Sequence, residues 1–414
     1  MSSPADSGSA LPFDASHARD ARRAYAIALV FLAISAALGA LLRGSLIVSP
    51  TGFAYGNWLH AHSHTAFLGF VFNAFFAFAL ARFVPATERA SYRRLFITLQ
   101  IAVLGMLATF PVQGYGPASI TFSTLHMVGA GMFAWKLWRK NTAAPGARVH
   151  LRIALAALVL SGLGPLALGP LAAQGLRDTP AYALCIYFYL HAQYNGWFLF
   201  FLQALLLQGC EAKSAPASSE TTRLARVSAR WLGLGLVLTL AQSTLWLDPA
   251  AWVYGVAAAG GAAQLIGGIC FLRAWFAKRP TEGEEPHGTA RLVRALVAGA
   301  IMAWAVKLVI QAAAAVPALG GLANHRFMVI AFLHLVFLGV VTPAILAFGL
   351  RSGWLRDTRT IRGAIGIFFA AALFSQTMLV LVAFGWSAPL PLPWLLFAPA
   401  AVMAASAPLF LQKA

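Results

Sequence analysis

The chain has 414 residues, 60% of them hydrophobic and only 10% charged, with a mean hydropathy of +0.75. A soluble domain of this size cannot hide so much apolar surface, so a water-soluble globular fold is excluded and the bilayer becomes the solvent. The formal net charge of +18 suggests a nucleic-acid binder until its placement along the chain is followed.

Lipid offers the backbone no hydrogen-bond partners, so long apolar runs without period-2 alternation read as helices and not as barrel strands. Residues 1–23 are rich in Ser, Ala and Asp and lack the basic start and short apolar core of a cleaved signal. They read as a disordered cytoplasmic tail. Twelve spans follow, near 24–46, 59–83, 94–112, 117–139, 151–171, 181–208, 230–247, 251–276, 290–313, 326–349, 362–385 and 391–411, each close to the bilayer length. They make a single membrane domain over 24–414. The two longest connectors, about 209–229 and 277–289, are polar and of mixed charge.

With the N-terminus inside, 26 of the 30 basic residues fall on inner segments, and only Arg43, Arg177 and Arg326 lie at outer ends. Positive-inside placement thus accounts for the net charge, puts both termini in the cytoplasm and removes nucleic acid as a partner. The composition points to a multi-pass protein of a bacterial inner membrane, with membrane lipid as its constant partner. Cys185, Cys210 and Cys270 show no C-x-x-C spacing, so no thiolate cluster or disulfide framework is implied.

The second span opens N-W-L-H-A-H-S-H-T, with His60, His62 and His64 at the water–hydrocarbon boundary. Division of the chain into three quartets of helices places a histidine in the second helix of each: His64, His191 and His334. Glycine follows five residues later, as Gly69, Gly196 and Gly339, which suggests a threefold four-helix repeat; His126 with Gly131 in span 4 shows the same spacing. A glycine five residues on lies about 140° around the helix, so it should admit a neighbouring helix and not a ligand. Even-numbered spans run from outside to inside. His126, His191 and His334 then sit about 12–15 Å deep and His64 nearer 8 Å, at 1.5 Å per residue. His60 and His64 share a face, and His62 points about 160° away from His64. His325 marks the outer rim of span 10, while His17, His150 and His287 belong to the tail and inner loops.

Ionisable groups within spans are expensive and face a bundle interior or cavity. Taken together the histidines suit a metal or haem, because neutral imidazole ligates iron and copper well and haem fills an apolar pocket. The candidate metal ligands are His191, His126, His60 and His325. All twelve Asp and Glu lie in the tail, loops or span ends, which disfavours proton-coupled transport and His–carboxylate zinc hydrolysis. Lys307 is the one embedded cation, expected to snorkel outward or to pair with an anion. Span 6, Y-F-Y-L-H-A-Q-Y-N-G-W, gathers Tyr187, Tyr189, Gln193, Tyr194 and Asn195 around His191, in keeping with a polar pocket or with bonds between helices.

Twelve spans with outer-half histidines in spans 2, 6 and 10 resemble subunit I of the haem–copper oxidase superfamily, which includes cbb-type oxidases and nitric oxide reductases and has haem- and copper-containing NnrS proteins as distant relatives. The segment S-H-T-A-F-L-G-F-V-F-N-A resembles the cbb-type span 2, which implies that His64 is an axial ligand of a low-spin haem b. V-I-A-F-L-H-L-V-F-L-G-V-V is similar to the family's span 10, which implies that His334 is the other ligand. F-Y-L-H-A-Q-Y-N-G-W-F resembles the segment bearing one copper-ligating histidine, His191 here. Phe332 replaces the proximal histidine of the oxygen-reducing haem, and span 7, A-R-W-L-G-L-G-L-V-L-T-L-A-Q-S-T-L-W-L, lacks the His-His pair. The family's reaction centre therefore cannot assemble in its usual form. The resemblance implies a divergent, haem-binding redox protein concerned with electron transfer, NO or O₂. It holds one bis-His haem, with copper or a second haem as a further cofactor and a redox partner or small accessory subunit. The alternative is a transporter, or a non-catalytic sensor or accessory protein, whose histidines bond between helices.

Overall fold

The computed structural model describes residues 15–211, 219–277, 287–319, 325–387 and 391–412. The tail before residue 15, Lys413 and parts of both long connectors lie outside the described residues. Among the described residues there are twelve helical rods and no strand. They are α1 (Ala15–Gly44), α2 (Tyr55–Arg82), α3 (Ala86–Gln113), α4 (Pro117–Arg139) and α5 (Pro145–Ala173), followed by α6 (Pro180–His191, continued to Glu211) and α7 (Ser219–Leu238, continued to Leu247). The last five are α8 (Ala251–Phe276), α9 (His287–Ala313), α10 (Arg326–Arg351), α11 (Arg359–Ala383) and α12 (Leu392–Leu411).

Ten of the rods are long and apolar enough to cross a membrane, which makes the chain an all-α, multi-pass membrane protein. α4 and α6 are the other two. Their hydropathy is lowered by Ser119, Thr121, Ser123 and His126 in one and by Tyr189, His191, Gln193 and Asn195 in the other. For α6 the reason is structural: Ala192–Leu205 is buried throughout, so this stretch of the helix packs against other helices. Four starts differ from expectation by six residues or more, α3 among them, which begins at Ala86 and not near 94. α1 begins at Ala15, inside the expected tail; α7 begins at Ser219, inside the expected connector; and α5 begins at Pro145, taking His150 into a helix. Proline at the first position of α4, α5 and α6 starts each helix where its missing N–H costs nothing.

α2, α6 and α10 form the centre. The Phe67 ring lies 5.2 Å from Tyr194 and 5.9 Å from Phe337, and Phe75 stacks on Phe201 at 4.4 Å. Each of the three central helices widens into one π turn: Thr65–Val71, Ala192–Phe198 and Leu335–Val341. Each π turn begins on the residue after a histidine, namely His64, His191 and His334. The wider turn shows as Phe72 N–H bonded to Phe67 O and Thr342 N–H bonded to Phe337 O, five residues back; the Thr342 hydroxyl adds a 2.9 Å bond to the same carbonyl.

The glycine within each π turn receives a neighbour, as expected. A Cβ on Gly69 would lie 2.7 Å from the Phe31 ring of α1, one on Gly196 would overlap Ala157 Cβ of α5, and one on Gly339 would lie 3.1 Å from Ala303 Cβ of α9. Gly131 has open space, and α4 stays α-helical after His126. The two sets of identically spaced residues are therefore physically different.

Candidate functional site

α2 presents its histidines on opposite sides. His62 points to α1, and its Nδ1 lies 2.9 Å from Ser35 O. A carbonyl partner requires Nδ1 to carry the proton, which leaves Nε2 as a free lone pair. On that same side His334 of α10 is in electrostatic contact with both His62 and Arg43. His334 itself makes no hydrogen bond to the described residues, so both its ring nitrogens are open. Arg43 in turn is in electrostatic contact with Arg326, and neither has a carboxylate partner among the described residues. Close by on α11, Gln376 donates to Ala331 O at 2.7 Å, yet its buried Oε1 has no partner. This quarter of the bundle thus combines two imidazoles, two cations without a carboxylate partner among the described residues, and an orphaned acceptor.

His64 faces the other way. Its Nδ1 lies 2.9 Å from His60 O one turn back, so its Nε2 is also free. Its ring lies 4.4 Å from Phe110 of α3 and 6.5 Å from His60, and His60 packs at 4.5 Å on Tyr115 in the α3–α4 turn. His126 of α4 is in electrostatic contact with His64, packs edge-on against Phe72 at 5.0 Å, and has a buried Nε2 with no partner. His62 and His64 thus meet different neighbours, His62 on the α1 side and His64 on the α3 side. The cause is helical phase: residues two apart point to opposite sides of α2.

His191 is a different case. Its Nε2 donates to Leu236 O at 2.7 Å, and its Nδ1 lies 3.2 Å from Asn195 Nδ2. With both nitrogens engaged, it has no lone pair for copper in this arrangement. His325 is exposed at the start of α10, its ring 5.6 Å from Phe327, and joins neither set of neighbours. Among the described residues no group of three His, Cys, Asp or Glu could hold a metal ion. A three-ligand copper site built from His191, His126, His60 and His325 does not fit.

Two expectations about single residues are overturned. Lys307 does not snorkel: it is 1% exposed, and its Nζ donates to Gln264 Oε1 at 3.0 Å. Gln264 Nε2 continues to Thr239 Oγ1 at 3.1 Å, and Thr239 bonds Gly235 O at 2.7 Å, so a polar chain crosses α9, α8 and α7. His150 is fully buried between Phe200 and Phe271, with Nδ1 3.3 Å from Gly146 O, and does not lie in a loop. Residue spacing alone singles out neither His62 nor Arg43. The chain matches no protein-family model and shows no significant similarity to any curated protein.

Proposed function

We propose that this chain is a haem-binding redox protein of the bacterial inner membrane. It has twelve spans in three four-helix repeats and both termini in the cytoplasm, and it is related to subunit I of the haem–copper oxidases. The observation that carries the reading is the quarter between α1, α2, α10 and α11. His62 and His334 offer unbonded nitrogens there, beside two arginines that meet no carboxylate among the described residues. Haem matches each of these features: iron takes two imidazoles, the macrocycle fills apolar space, and the propionates would sit against Arg43 and Arg326. Ser35 O, holding His62 Nδ1–H, is the kind of outer partner that fixes tautomer and ring orientation in a ligating histidine. When bound, the haem supplies one-electron chemistry. The chain's own residues orient the imidazoles, exclude water and supply positive charge.

The three histidine-to-π-turn junctions support the threefold repeat, and the open packing at Gly131 sets α4 apart from it. On this reading the helix-2 ligand moves from His64 to His62. His64 and His126 become the pair available to the second cofactor expected from the sequence, copper or a further haem. Electron transfer, with a redox partner or accessory subunit, follows more readily than O₂ or NO reduction, since His191 is engaged and Phe332 stands at the proximal position. The closed network around His191, Gln264 and Lys307 favours one competing reading, a transporter or non-catalytic accessory protein.

The test is an absorption spectrum of the purified protein, oxidised and reduced, after expression with ample haem. A Soret band lost in His62→Ala and in His334→Ala, and retained in the exposed control His325→Ala, is expected. Absence of any Soret band in the wild-type protein would end the haem reading, and loss in His64→Ala with retention in His62→Ala would restore the other ligand.

A further inference from the structure

The haem at His62 and His334 leaves the opposite face of α2 unused. His60 and His64 stand four residues apart there, one above the other on the same side of the helix. Their ring centres are 6.5 Å apart. His60 O holds the Nδ1 proton of His64, which leaves Nε2 with its lone pair. A backbone carbonyl on the other ring nitrogen is the usual outer partner of a metal-bound histidine. The His60 ring makes no hydrogen bond to the described residues; it rests on Tyr115 at 4.5 Å and on Phe110 at 5.9 Å. Both imidazoles are half-buried, and Tyr115 in the α3–α4 turn is 42% exposed, so this face opens at the rim of the bundle.

Electrostatics separates this face from the one bearing His62. Arg43 acts on both His62 and His334, which suits a macrocycle carrying propionates and repels a bare cation. Among the described residues no lysine or arginine acts on His60 or His64. Two histidines four apart on one helix face are a recurring chelate for zinc, and imidazole suits copper equally. Nitrogens bonded to one ion at about 2.0–2.1 Å would draw the ring centres to about 5–6 Å. His60, half-buried and without a hydrogen bond, has the freedom to make that adjustment. His126 is less suited to share the ion, because it packs on Phe72, about two turns further along α2.

We propose that His60 and His64 together bind a divalent zinc or copper ion through two imidazole nitrogens, with water in its remaining positions. The site gives the open nitrogen of His64 to an ion shared with His60, in place of a cofactor shared with His126. It does not depend on the haem at His62 and His334. The Soret band of the same sample reports that haem separately, so either reading can fail without the other.

The probes are Zn²⁺ and Cu²⁺, with Mg²⁺ as the control, titrated into metal-free protein in lipid nanodiscs against a chromophoric chelator. Loss of an outer partner alone costs about 10–100-fold in metal affinity, so His60→Ala and His64→Ala should each weaken binding at least about tenfold. The exposed control His325→Ala should bind as the wild type does. Whichever of Zn²⁺ and Cu²⁺ shows the larger loss in His60→Ala is the ion the site prefers. Equal affinity of wild type and His60→Ala for both ions would mean an adventitious ion only and would overturn the proposal. Electron paramagnetic resonance of the Cu²⁺-loaded wild type is expected to show hyperfine coupling to two imidazole nitrogens, falling to one in His60→Ala. Coupling to one nitrogen or none in the wild type would overturn the proposal even if a variant fails to fold.

Discussion

Gly131 and Gly196 both stand five residues after a histidine, and alanine at the two positions should act in opposite directions. At Gly131 an added Cβ meets open space. Alanine there gains helix propensity, worth up to about 1 kcal/mol, and no clash opposes it. At Gly196 the same atom overlaps Ala157 Cβ and lies 3.4 Å from Leu236 Cδ2. Ala157 has no rotamer to escape into, so α5 and α6 must separate. Overpacking of that kind costs about 1–3 kcal/mol, and the upper end applies where backbones must move. With the propensity gain subtracted, Gly196→Ala should lose about 2 kcal/mol, roughly thirty-fold in the folded-to-unfolded ratio. Gly339→Ala, with Ala303 Cβ 3.1 Å away, should fall near zero. The assay is reversible unfolding in mixed micelles on addition of SDS, followed by circular dichroism. If Gly131→Ala and Gly196→Ala shift the midpoint equally and in the same direction, the packing assigned to the π turns is wrong.

Two more expectations concern polar contacts. Replacement of Gln264 by Leu removes the partner of Lys307 Nζ and should destabilise the protein by about 1–3 kcal/mol, with most of the loss recovered in the double variant carrying Lys307→Met. Additive losses in the same unfolding assay would show that the two side chains are not coupled. Between α10 and α11, Asp357 accepts from Arg362 at 2.5 and 2.7 Å and from the Thr289 hydroxyl at 2.5 Å. The Arg362 guanidinium first, and the Thr289 hydroxyl after it, hold the Asp357 carboxyl below the usual carboxylate range. The depressed value means that this contact stabilises the fold above about pH 4 and is lost as pH falls through the folded-state value. Because the Arg362 side chain is 47% exposed, solvent screening should keep the effect small. Asp357→Asn should lower the thermal midpoint at pH 7, and that difference should shrink progressively as the pH falls below about 4; a difference that does not change with pH in that range would count against the ionic origin.

Much of the fold was legible in the sequence because lipid imposes a simple rule. Each apolar run of bilayer length must satisfy its own backbone, and so it becomes a helix. The alternation of basic and neutral connectors, and a histidine five residues before glycine in each quartet, follow from the string alone. The starts of α1, α3, α5 and α7 precede the apolar stretches because a helix continues past them wherever its polar turns still pack or face water.

The string could also establish that His62 and His64 point to opposite sides of α2, since that is helical geometry. Which side meets α10 depends on how α1, α2 and α10 are arranged in space, and only the folded bundle decided it. The same holds for Lys307, whose long stem allows both snorkelling and burial; Gln264 on the adjacent helix made the choice. Residue spacing determines the direction of a side chain on its own helix. What it meets there is a property of the packing.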